Sequence, residues 1–472
     1  MSNFEIVIGL EVHTQVKTKS KIFCSCSTEF RSPPNTNICP VCCGYPGVLP
    51  VFNKRVLELA VRVSLALNCE VNDSIYFERK NYFYPDLPKD YQISQYKMPL
   101  GERGVLELPS GKKVNINRVH MEEDAGKLIH KNDCSWVDFN RTGTPLLEIV
   151  SEPDMRSPEE AFDYLTYLKL VIQYVGASDC DMEKGSLRCD ANISLRKKGD
   201  TKLGTRVELK NMNSFRGVRA ALEFEAKRQA KVIEAGEKVS QETRLWDVDN
   251  LKTVLMRTKE QAHDYRYFPE PDLLDFSVSN QLIEREKALV GELPIERKNR
   301  FLKDYNINQK EVDIILSNPW MANFFEEANK TYSKPQELSN WLLGPFLEQV
   351  NSLEEGFDSV KISTQKFAQI VKYFNEKKLN NLAAKKVLSL SIATDCDIDS
   401  IIEKEGLAQV SGEDQLSLFI EEAIKENPKP VTEYLEGKEQ AIMFLVGQVM
   451  KKSRGNANPQ VAKAMLKRRI EK

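Results

Sequence analysis

The sequence has no long hydrophobic run and almost no net charge. No stretch of about 18 apolar residues occurs, so no membrane-spanning helix is predicted. Lysine and arginine total 67 and aspartate and glutamate 69, which excludes a globally basic nucleic-acid coat and an acidic disordered tail protein. The N-terminal segment MSNFEIVIGLEVHTQV lacks the pattern of a signal or transit peptide, so a cytoplasmic location is expected.

Several common catalytic motifs are also missing. The sequence contains neither GxxxxGK[ST] nor a GxGxxG after a strand, so ATP binding by a P-loop or a Rossmann turn is not supported. It has no GxSxG elbow and no evident nucleophile–base pair. The sequence also shows no internal repeat and no low-complexity tract.

The ten cysteines are too few for a disulfide scaffold of this length, yet five of them fall between residues 24 and 43. The spacing is Cys24-x-Cys26, a twelve-residue loop and Cys39-x-x-Cys42, followed by Cys43. Two close pairs joined by a loop can bring four thiolates to the corners of a tetrahedron, which suits zinc. Four protein ligands indicate a structural site. An iron–sulfur centre is a weaker alternative, and free buried cysteines at this spacing would be a coincidence.

Short alternating segments dominate the first ~290 residues and predict strands with one packed and one polar face. In IVIGLEVHTQV, Glu11 and His13 lie opposite Leu10 and Val12. The segments SLRCDANISL and GTRVELKN alternate in the same way. Two helices are predicted, one capped at Ser157 and ending near Gly176, the other from about residue 214 to 235. This pattern indicates an α+β fold around a largely antiparallel sheet.

The length of the chain suggests about three domains. Near residue 290 the pattern becomes helical, and a break near residues 394–400 divides the helical part. We expect an N-terminal domain over residues 1–292, an all-α helical domain over 293–400 and a small all-α tail domain over 401–472. Apolar residues of the helical domain, including Trp320, Phe324 and Phe325, are expected to form its core.

Carboxylates and one histidine recur on the polar strand faces. Hard oxygen ligands with an imidazole suit Mg²⁺ or Mn²⁺, and nearby cations could neutralise a phosphoryl group. The candidate metal ligands are Glu11, His13, Glu122, Glu123, Asp190 and Glu208, and the candidate cations are Lys127, Arg188, Arg206 and Lys210. A single charged residue on a strand is more often merely solvated, so the hypothesis depends on their coming from several similar strands.

Nine motifs in order resemble one family. They are GLEVHTQVKTKSKIFC, CPVCCGYPGVLP, RKNYFYPDLPKDYQISQY, HMEEDAGK, NRTGTPLLEIVSEPD, GSLRCDANIS, GTRVELKNMNSFR, QETRLWD and AHDYRYFPEPDL. Together they resemble the B subunits of bacterial aspartyl/glutamyl-tRNA amidotransferases, from about residue 5 to the C-terminus.

The resemblance implies a carbon–nitrogen ligase with glutamine as the amide donor. Such a subunit works in a heterotrimer with an amidase subunit and a small third subunit, on Glu-tRNA(Gln) or Asp-tRNA(Asn). It uses ATP and Mg²⁺ to phosphorylate the side-chain carboxylate, and channelled ammonia displaces the phosphate. Its first domain is a cradle with a glutamine-synthetase-like sheet, and some members carry a structural zinc knuckle.

Carried over by position, the resemblance gives roles to individual residues. The Mg²⁺ site would comprise Glu11, His13, Glu122, Glu123, Asp190 and Glu208. Arg188, Arg206 and Lys210 would contact phosphate or substrate, and Lys80 and Lys89 would lie near the mouth of the ammonia channel. Cys24, Cys26, Cys39 and Cys42 match the zinc knuckle, whereas Cys43 replaces a usually apolar residue and could compete as a ligand.

The C-terminal stretch VMKKSRGNANPQVAKAMLKRRIEK is strongly basic. It carries eight cations against Glu471 alone, and basic side chains give salt-dependent affinity for phosphate backbones. The cations are Lys451, Lys452, Arg454, Lys463, Lys467, Arg468, Arg469 and Lys472. A solvated helix end is the usual meaning of such a run. The family resemblance favours a module that contacts the tRNA elbow through shape and backbone.

Two other functions compete with this hypothesis. A standalone ATP-dependent ammonia ligase acting on a free amino acid would not need the long helical half or the basic tail. A non-catalytic zinc-knuckle RNA-binding protein would have no use for carboxylates gathered from several strands.

Overall fold

The computed structural model describes residues 3–131, 133–258, 265–407, 413–453 and 457–471. The chain divides into two compact units, Met1–Glu296 and Arg297–Lys472. The first unit contains the strands and the second is helical, so the α+β class is confirmed. Within the described residues, no helix is both long and apolar enough to cross a bilayer.

Sixteen strands are described in the first unit. They are β1 (Phe4–Gln15), β2 (Glu70–Val71), β3 (Ser74–Ile75), β4 (Glu78–Asn81), β5 (Tyr91–Ser94), β6 (Gly101–Glu107), β7 (Lys113–Glu123), β8 (Lys127–Lys131), β9 (Cys134–Asp138), β10 (Pro145–Ser151), β11 (Leu187–Lys197), β12 (Val207–Lys210), β13 (Glu242–Asp247), β14 (Lys252–Thr258), β15 (Phe268–Pro269) and β16 (Phe276–Ser277).

Nine strands form the central sheet, in the order β14-β13-β12-β11-β1-β10-β7-β6-β2. Every neighbouring pair is antiparallel except β12 and β13, so the largely antiparallel sheet is confirmed. Three small sheets accompany it: β15-β4-β5, β16-β3 and the hairpin β8-β9. The likeness of the sheet to that of glutamine synthetase stays a prediction.

Four helices accompany the strands: α1 (Lys54–Ala66), α2 (Pro158–Tyr174), α3 (Phe215–Glu234) and α4 (Asn280–Val290). The two predicted helices are confirmed as α2 and α3. Ser157 caps α2 by accepting from the N–H of Glu160, as its sequence predicts. The prediction of only two helices is wrong. The sequence analysis did not identify α1, of which nine of the 13 residues are buried, or α4.

The apolar side of the sheet packs against helices α1, α2 and α3 in one large core. Ile8, Leu10 and Val12 of β1 lie in it, almost completely buried. Strand alternation therefore leaves Glu11 and His13 on the opposite side. One side of the sheet therefore packs in the core, and the other side carries polar side chains that are available for chemistry.

Helices follow to the C-terminus: α5 (Pro294–Asp304), α6 (Gln309–Leu316), α7 (Pro319–Thr331), α8 (Pro335–Trp341), α9 (Leu347–Val350), α10 (Thr364–Asn375), α11 (Asn381–Ser391), α12 (Ile398–Lys404), α13 (Glu413–Glu426), α14 (Pro428–Leu435), α15 (Ala441–Lys452) and α16 (Pro459–Ile470). The second unit contains two apolar cores, one from Phe301 to Ile398 and one from Leu416 to Leu466. Phe324 and Phe325 are buried in the first core, with Trp320 packed against it. The division into three domains stays a prediction.

Candidate functional site

The polar side of the sheet is built by five adjacent strands, β12, β11, β1, β10 and β7. Directly opposed residues of antiparallel strands share a face. His13 is opposite Arg188 on one side and Glu148 on the other, and Glu148 is opposite His120. The register therefore carries polar side chains from strand to strand across one surface.

A cavity of about 320 Å³ lies on this surface, and we call it the polar cavity. Seven of the predicted site residues line it: Glu11, His13, Glu122, Asp190, Arg206, Glu208 and Lys210. Lys80 of β4 lines it as well. A second cavity of about 270 Å³ shares His13, Lys80, Glu122 and Asp190 and adds Arg188. The structure thus brings together residues that are far apart in the sequence.

The tightest group in the polar cavity is His13, Glu122 and Glu148. His13 Nε2 lies 3.2 Å from Glu148 Oε2 and 3.5 Å from Glu122 Oε1. One potential ligand atom from each residue lies within 4.8 Å of the others. His120 Nε2 lies 3.4 Å from Glu148 Oε2, so a second imidazole borders the group. One imidazole and two carboxylates at this spacing form a donor set suited to Mg²⁺ or Mn²⁺.

Electrostatics also favour a cation here. Burial alone would lower the pKa of His13, but its hydrogen bond to Glu148 and the charge of Glu122 outweigh burial and raise the pKa to about 9. Burial and the charge of Glu148 raise the pKa of Glu11. Burial acts against the charged ammonium of Lys80, yet Glu122 and Glu148 raise its pKa. Clustered carboxylates therefore favour positive charge throughout the cavity.

A second group, on β11 and β12, is already paired. Lys210 Nζ donates to Asp190 and lies 3.3 Å from Glu208 Oε1. Thr243 of β13 donates its hydroxyl to Glu208 Oε2 at 2.7 Å. Asn192 donates to Glu11 at 2.9 Å. Asp190 and Glu208 therefore share their charge with Lys210, whereas Glu122 and Glu148 face the histidines.

Arg188 is held by a carboxylate that the sequence motifs did not single out. Its Nη2 donates to Asp124 Oδ1 at 2.8 Å, and Gln15 donates to the other oxygen of Asp124 at 3.1 Å. Asp124 is almost completely buried. The guanidinium of Arg188 is thus oriented along the second cavity.

Glu123 does not join the metal-ligand candidates with which the sequence pattern grouped it. It follows Glu122 on β7, so strand alternation directs its side chain to the other side of the sheet. There it accepts from Lys89 Nζ and, at 2.9 Å, from the N–H of Ile93. Glu123 and Lys89 line a separate cavity of about 200 Å³, with Cys24, Cys42 and Gly44. We call this the knuckle cavity.

Lys127 is the other predicted residue that the structure separates from the site. It begins the β8–β9 hairpin, is exposed and lines neither the polar cavity nor the second cavity. Its expected role beside phosphate therefore has no geometric support. Sequence proximity to Glu122 was misleading because the chain leaves the central sheet after Glu123.

The four knuckle cysteines lie together. The Sγ atoms of Cys24, Cys26, Cys39 and Cys42 all lie within 4.8 Å of one another. Thiolates about 2.3 Å from a zinc ion are about 3.8 Å apart, which fits this limit. A hydrogen bond from the Cys24 thiol, with the Cys39 N–H and the charge of Lys21, lowers the pKa of Cys42 to about 4 against the effect of burial. Cys43 is not one of the four.

The basic tail lies on two helices. Lys451 and Lys452 end α15, and Lys467 and Arg468 lie in the last turn of α16. Carboxylates of α13 neutralise part of this charge. Lys452 contacts Glu422 at 3.1 Å and Glu426 at 2.8 Å, and Arg469 contacts Glu421 at 2.8 Å. Arg454 lies outside the described residues.

Sequence reasoning missed Glu148 and His120. A signal was present for each: Glu148 is the only charged residue in the apolar run PLLEIV, and His120 precedes Glu122 by two residues, the spacing of one strand face. An isolated carboxylate inside a buried strand needs a partner. Its partner, His13, lies 135 residues away, so the sequence did not reveal the pairing.

The polar side of the sheet thus carries a group of three residues that could hold a metal ion, and comparison with known families identifies the class of protein. Residues 6–284 match the model of the GatB/GatE catalytic domain, and residues 323–470 match the GatB domain. The chain belongs to the GatB/GatE family, which confirms the resemblance drawn from the motifs.

Individual relatives cover essentially the whole chain, and they are the B subunits of aspartyl/glutamyl-tRNA(Asn/Gln) amidotransferases. The relative from Thermoanaerobacter pseudethanolicus is 49% identical over 99% of this chain and 100% of its own. Those from Carboxydothermus hydrogenoformans and Brevibacillus brevis are 46% identical, over 100% and 99% of this chain and 100% and 98% of their own.

Proposed function

We propose that this chain is the subunit that converts Glu-tRNA(Gln), Asp-tRNA(Asn) or both into the amidated product. A side-chain carboxylate oxygen attacks the γ-phosphorus of ATP and ADP departs. Ammonia then attacks the acyl carbon and inorganic phosphate departs, leaving the amide. Phosphorylation turns a poor leaving group into a good one, so no protein nucleophile is needed. The names of the relatives support this substrate and this product.

The His13–Glu122–Glu148 group is the observation that carries the proposal. Its ligand atoms lie within 4.8 Å of one another, and the side chains of Glu122 and Glu148 are only 4% and 10% exposed. Such buried carboxylates need a cation, and the donors fit Mg²⁺. Bound there, Mg²⁺ would neutralise the charge that develops on the phosphoryl oxygens.

The cations of the polar cavity would orient the substrates. Arg206 and Lys210 line the polar cavity together with Asp190 and Glu208, and their donors would hold phosphate oxygens there. Arg188, fixed by Asp124, would contact the substrate from the second cavity. Glu11, buried and hydrogen-bonded to Asn192, would complete the acidic wall of the site.

Two lysines would mark the ends of an ammonia passage. Lys89 pairs with Glu123 at the knuckle cavity, and Lys80 faces Glu122 on the polar side. Because Glu122 and Glu123 are neighbours pointing to opposite sides of one strand, the passage would cross the sheet beside the end of β7. Ammonia from an amidase partner would enter at the knuckle cavity and pass the Lys89–Glu123 pair.

The remaining parts would serve structure and binding. A zinc ion held by the four cysteines would stabilise the knuckle without taking part in the reaction. Lys451, Lys467 and Arg468 would contact the tRNA backbone. The chain would work with an amidase subunit and a small third subunit, and a cytoplasmic location stays a prediction.

One assay tests the proposal. The chain, co-purified with its two partner subunits, receives Glu-tRNA(Gln), ATP, Mg²⁺ and ammonium chloride, without glutamine. We expect Gln-tRNA to form and to vanish when ATP is withheld, because free ammonia bypasses the amidase. Bound tRNA with no product would reduce this chain to a tRNA-holding scaffold.

A further inference from the structure

The knuckle turn, residues 39–45, is closed by three hydrogen bonds within its own backbone. The N–H of Cys43 donates to Cys39 O at 3.0 Å, that of Gly44 to Val41 O at 3.1 Å and that of Tyr45 to Pro40 O at 2.9 Å. Gly44 has a φ of 70°, a conformation that residues with a side chain rarely adopt. The position of Gly44 is therefore set by the same turn that presents Cys39 and Cys42.

Gly44 lies directly against Lys89. A Cβ atom at Gly44 would lie 2.5 Å from Lys89 Cγ and 3.1 Å from Lys89 Cα. Carbon atoms do not approach to 2.5 Å without repulsion, and a Cα cannot move without its backbone. The absence of a side chain at residue 44 thus allows Lys89 to occupy its observed position.

The side chains of Lys89 and Glu123 are nearly buried, and neighbouring residues fix their positions. The side chain of Lys89 is 8% exposed and that of Glu123 is 2% exposed. Glu123 is fixed by the N–H of Ile93, and Gly143 lies between it and the knuckle: a Cβ there would be 3.6 Å from Cys42 Cβ and 3.8 Å from Glu123 Oε2. The cysteine-bearing turn therefore packs directly against Lys89 and, through Gly143, against Glu123.

We propose that Gly44 is a positioning residue that seats Lys89 on Glu123 and thereby couples the knuckle turn to ammonia delivery. The inference rests on the proposed function, in which this ion pair stands in the ammonia passage. With Lys89 displaced, ammonia released from glutamine would escape before it reached the acyl phosphate. Gly44 would influence the yield of delivery, not the phosphorylation step on the other side of the sheet.

Gly44→Ala tests the proposal, with Gly47→Ala as a matched control. Gly47 has a φ of 83°, so the backbone strain of the substitution is comparable, but a Cβ there meets nothing within 4 Å. Each variant is made in the full complex with both partner subunits. The readout is Gln-tRNA formed per glutamine hydrolysed, alongside the rate with saturating ammonium chloride, zinc content and retention of the partners.

We expect Gly44→Ala to lower the product formed per glutamine several-fold or more, because misplacing a positioned group by about 1 Å can cost about a hundredfold. The ammonium-dependent rate and the zinc content should match those of the unsubstituted complex. Gly47→Ala should behave as the unsubstituted complex throughout. An unsubstituted complex without ATP-dependent product from ammonium would instead contradict the proposed function itself.

A double substitution distinguishes a specific effect on the position of Lys89 from a nonspecific effect on the structure. In a Lys89→Ala background the ammonium group that Gly44 is proposed to position is absent. Adding Gly44→Ala should therefore cause little further loss of product per glutamine, even though its contacts with the Cα and Cβ of residue 89 remain. If Gly44→Ala forms as much Gln-tRNA per glutamine hydrolysed as the unsubstituted complex, the proposal is overturned. An equal loss in Gly47→Ala, a full additional loss in the double variant, or departure of the partner subunits from the Gly44→Ala complex would overturn it as well.

Discussion

Glu122 and Glu123 are neighbours on one strand, and their amide variants should fail in different ways. Glu122→Gln removes a negative charge 3.5 Å from His13 Nε2 in the polar cavity. Glu123→Gln removes the partner of Lys89 on the other side of the sheet. The two substitutions are chemically identical and one residue apart, so each serves as the control for the other.

The structure sets the expected magnitudes. At an effective dielectric constant of about 20, two unit charges about 4 Å apart interact by about 4 kcal/mol. If Glu122 contributes most of that to a bound cation during phosphorylation, its loss should slow the step about a hundredfold to a thousandfold, at about 1.4 kcal/mol per tenfold. Glu123→Gln should leave that step within about threefold, because its side chain does not reach the polar cavity.

The free energy of unfolding should fall more for Glu123→Gln than for Glu122→Gln, the opposite of the order expected for the phosphorylation rate. Glu123→Gln leaves Lys89 charged and nearly buried, and breaking such a pair costs about 3–5 kcal/mol. Glu122→Gln removes one carboxylate from a crowded acidic group, so its cost should be small. Thermal unfolding of the complex should therefore shift down more for Glu123→Gln than for Glu122→Gln.

Three measurements on the same preparations decide the matter. They are Gln-tRNA from ammonium chloride, Gln-tRNA per glutamine hydrolysed, and affinity for tRNA. We expect Glu122→Gln to fail with either nitrogen source, and Glu123→Gln to fail chiefly with glutamine, with tRNA affinity nearly unchanged in both. Ammonium-dependent activity of Glu122→Gln within about tenfold of the unsubstituted complex would refute the metal-site reasoning.

Three further predictions concern other parts of the chain. Cys26→Ser should lose bound zinc, measured by metal analysis, and should lower the unfolding temperature, because removing one thiolate opens the four-cysteine site. Arg468→Ala should reduce the slope of log tRNA affinity against log salt by about 0.7–0.9 per phosphate contact, whereas Lys452→Ala, already paired with two glutamates, should change it less. Burial acts to raise the pKa of Glu326, but the arginines of α5 outweigh burial and lower the pKa from 4.5. The contribution of Glu326 to stability should therefore be lost as the pH falls below 4.5. Glu326→Gln should flatten the acid limb of a plot of unfolding free energy against pH.

Each of these predictions has an outcome that contradicts it. Full zinc content in Cys26→Ser would exclude a four-thiolate site. A larger salt effect from Lys452→Ala than from Arg468→Ala would mean that the ion pairs with α13 do not limit tRNA contact. An acid limb that is equally steep with and without the Glu326 carboxyl would assign the acid sensitivity to other groups.

Local sequence predicted what local physics controls. A two-residue repeat divides polar from apolar faces whatever the neighbouring strand, so Glu11 and His13 were assigned to one face correctly. Helix caps such as Ser157 act within one turn, which is why α2 and α3 were predicted closely. The cysteine spacing likewise predicted a group that a single short loop can form.

The sequence alone therefore determined the family, the α+β class, the polar strand faces and the cysteine group. Tertiary structure decided which strands are neighbours. It placed Glu148 beside His13, sent Glu123 to Lys89 and left Lys127 on a separate hairpin. The pairing of β1 with β10 and β11 joins residues more than a hundred positions apart, such as His13 and Glu148, which are separated by 135, and no local pattern encodes such a contact.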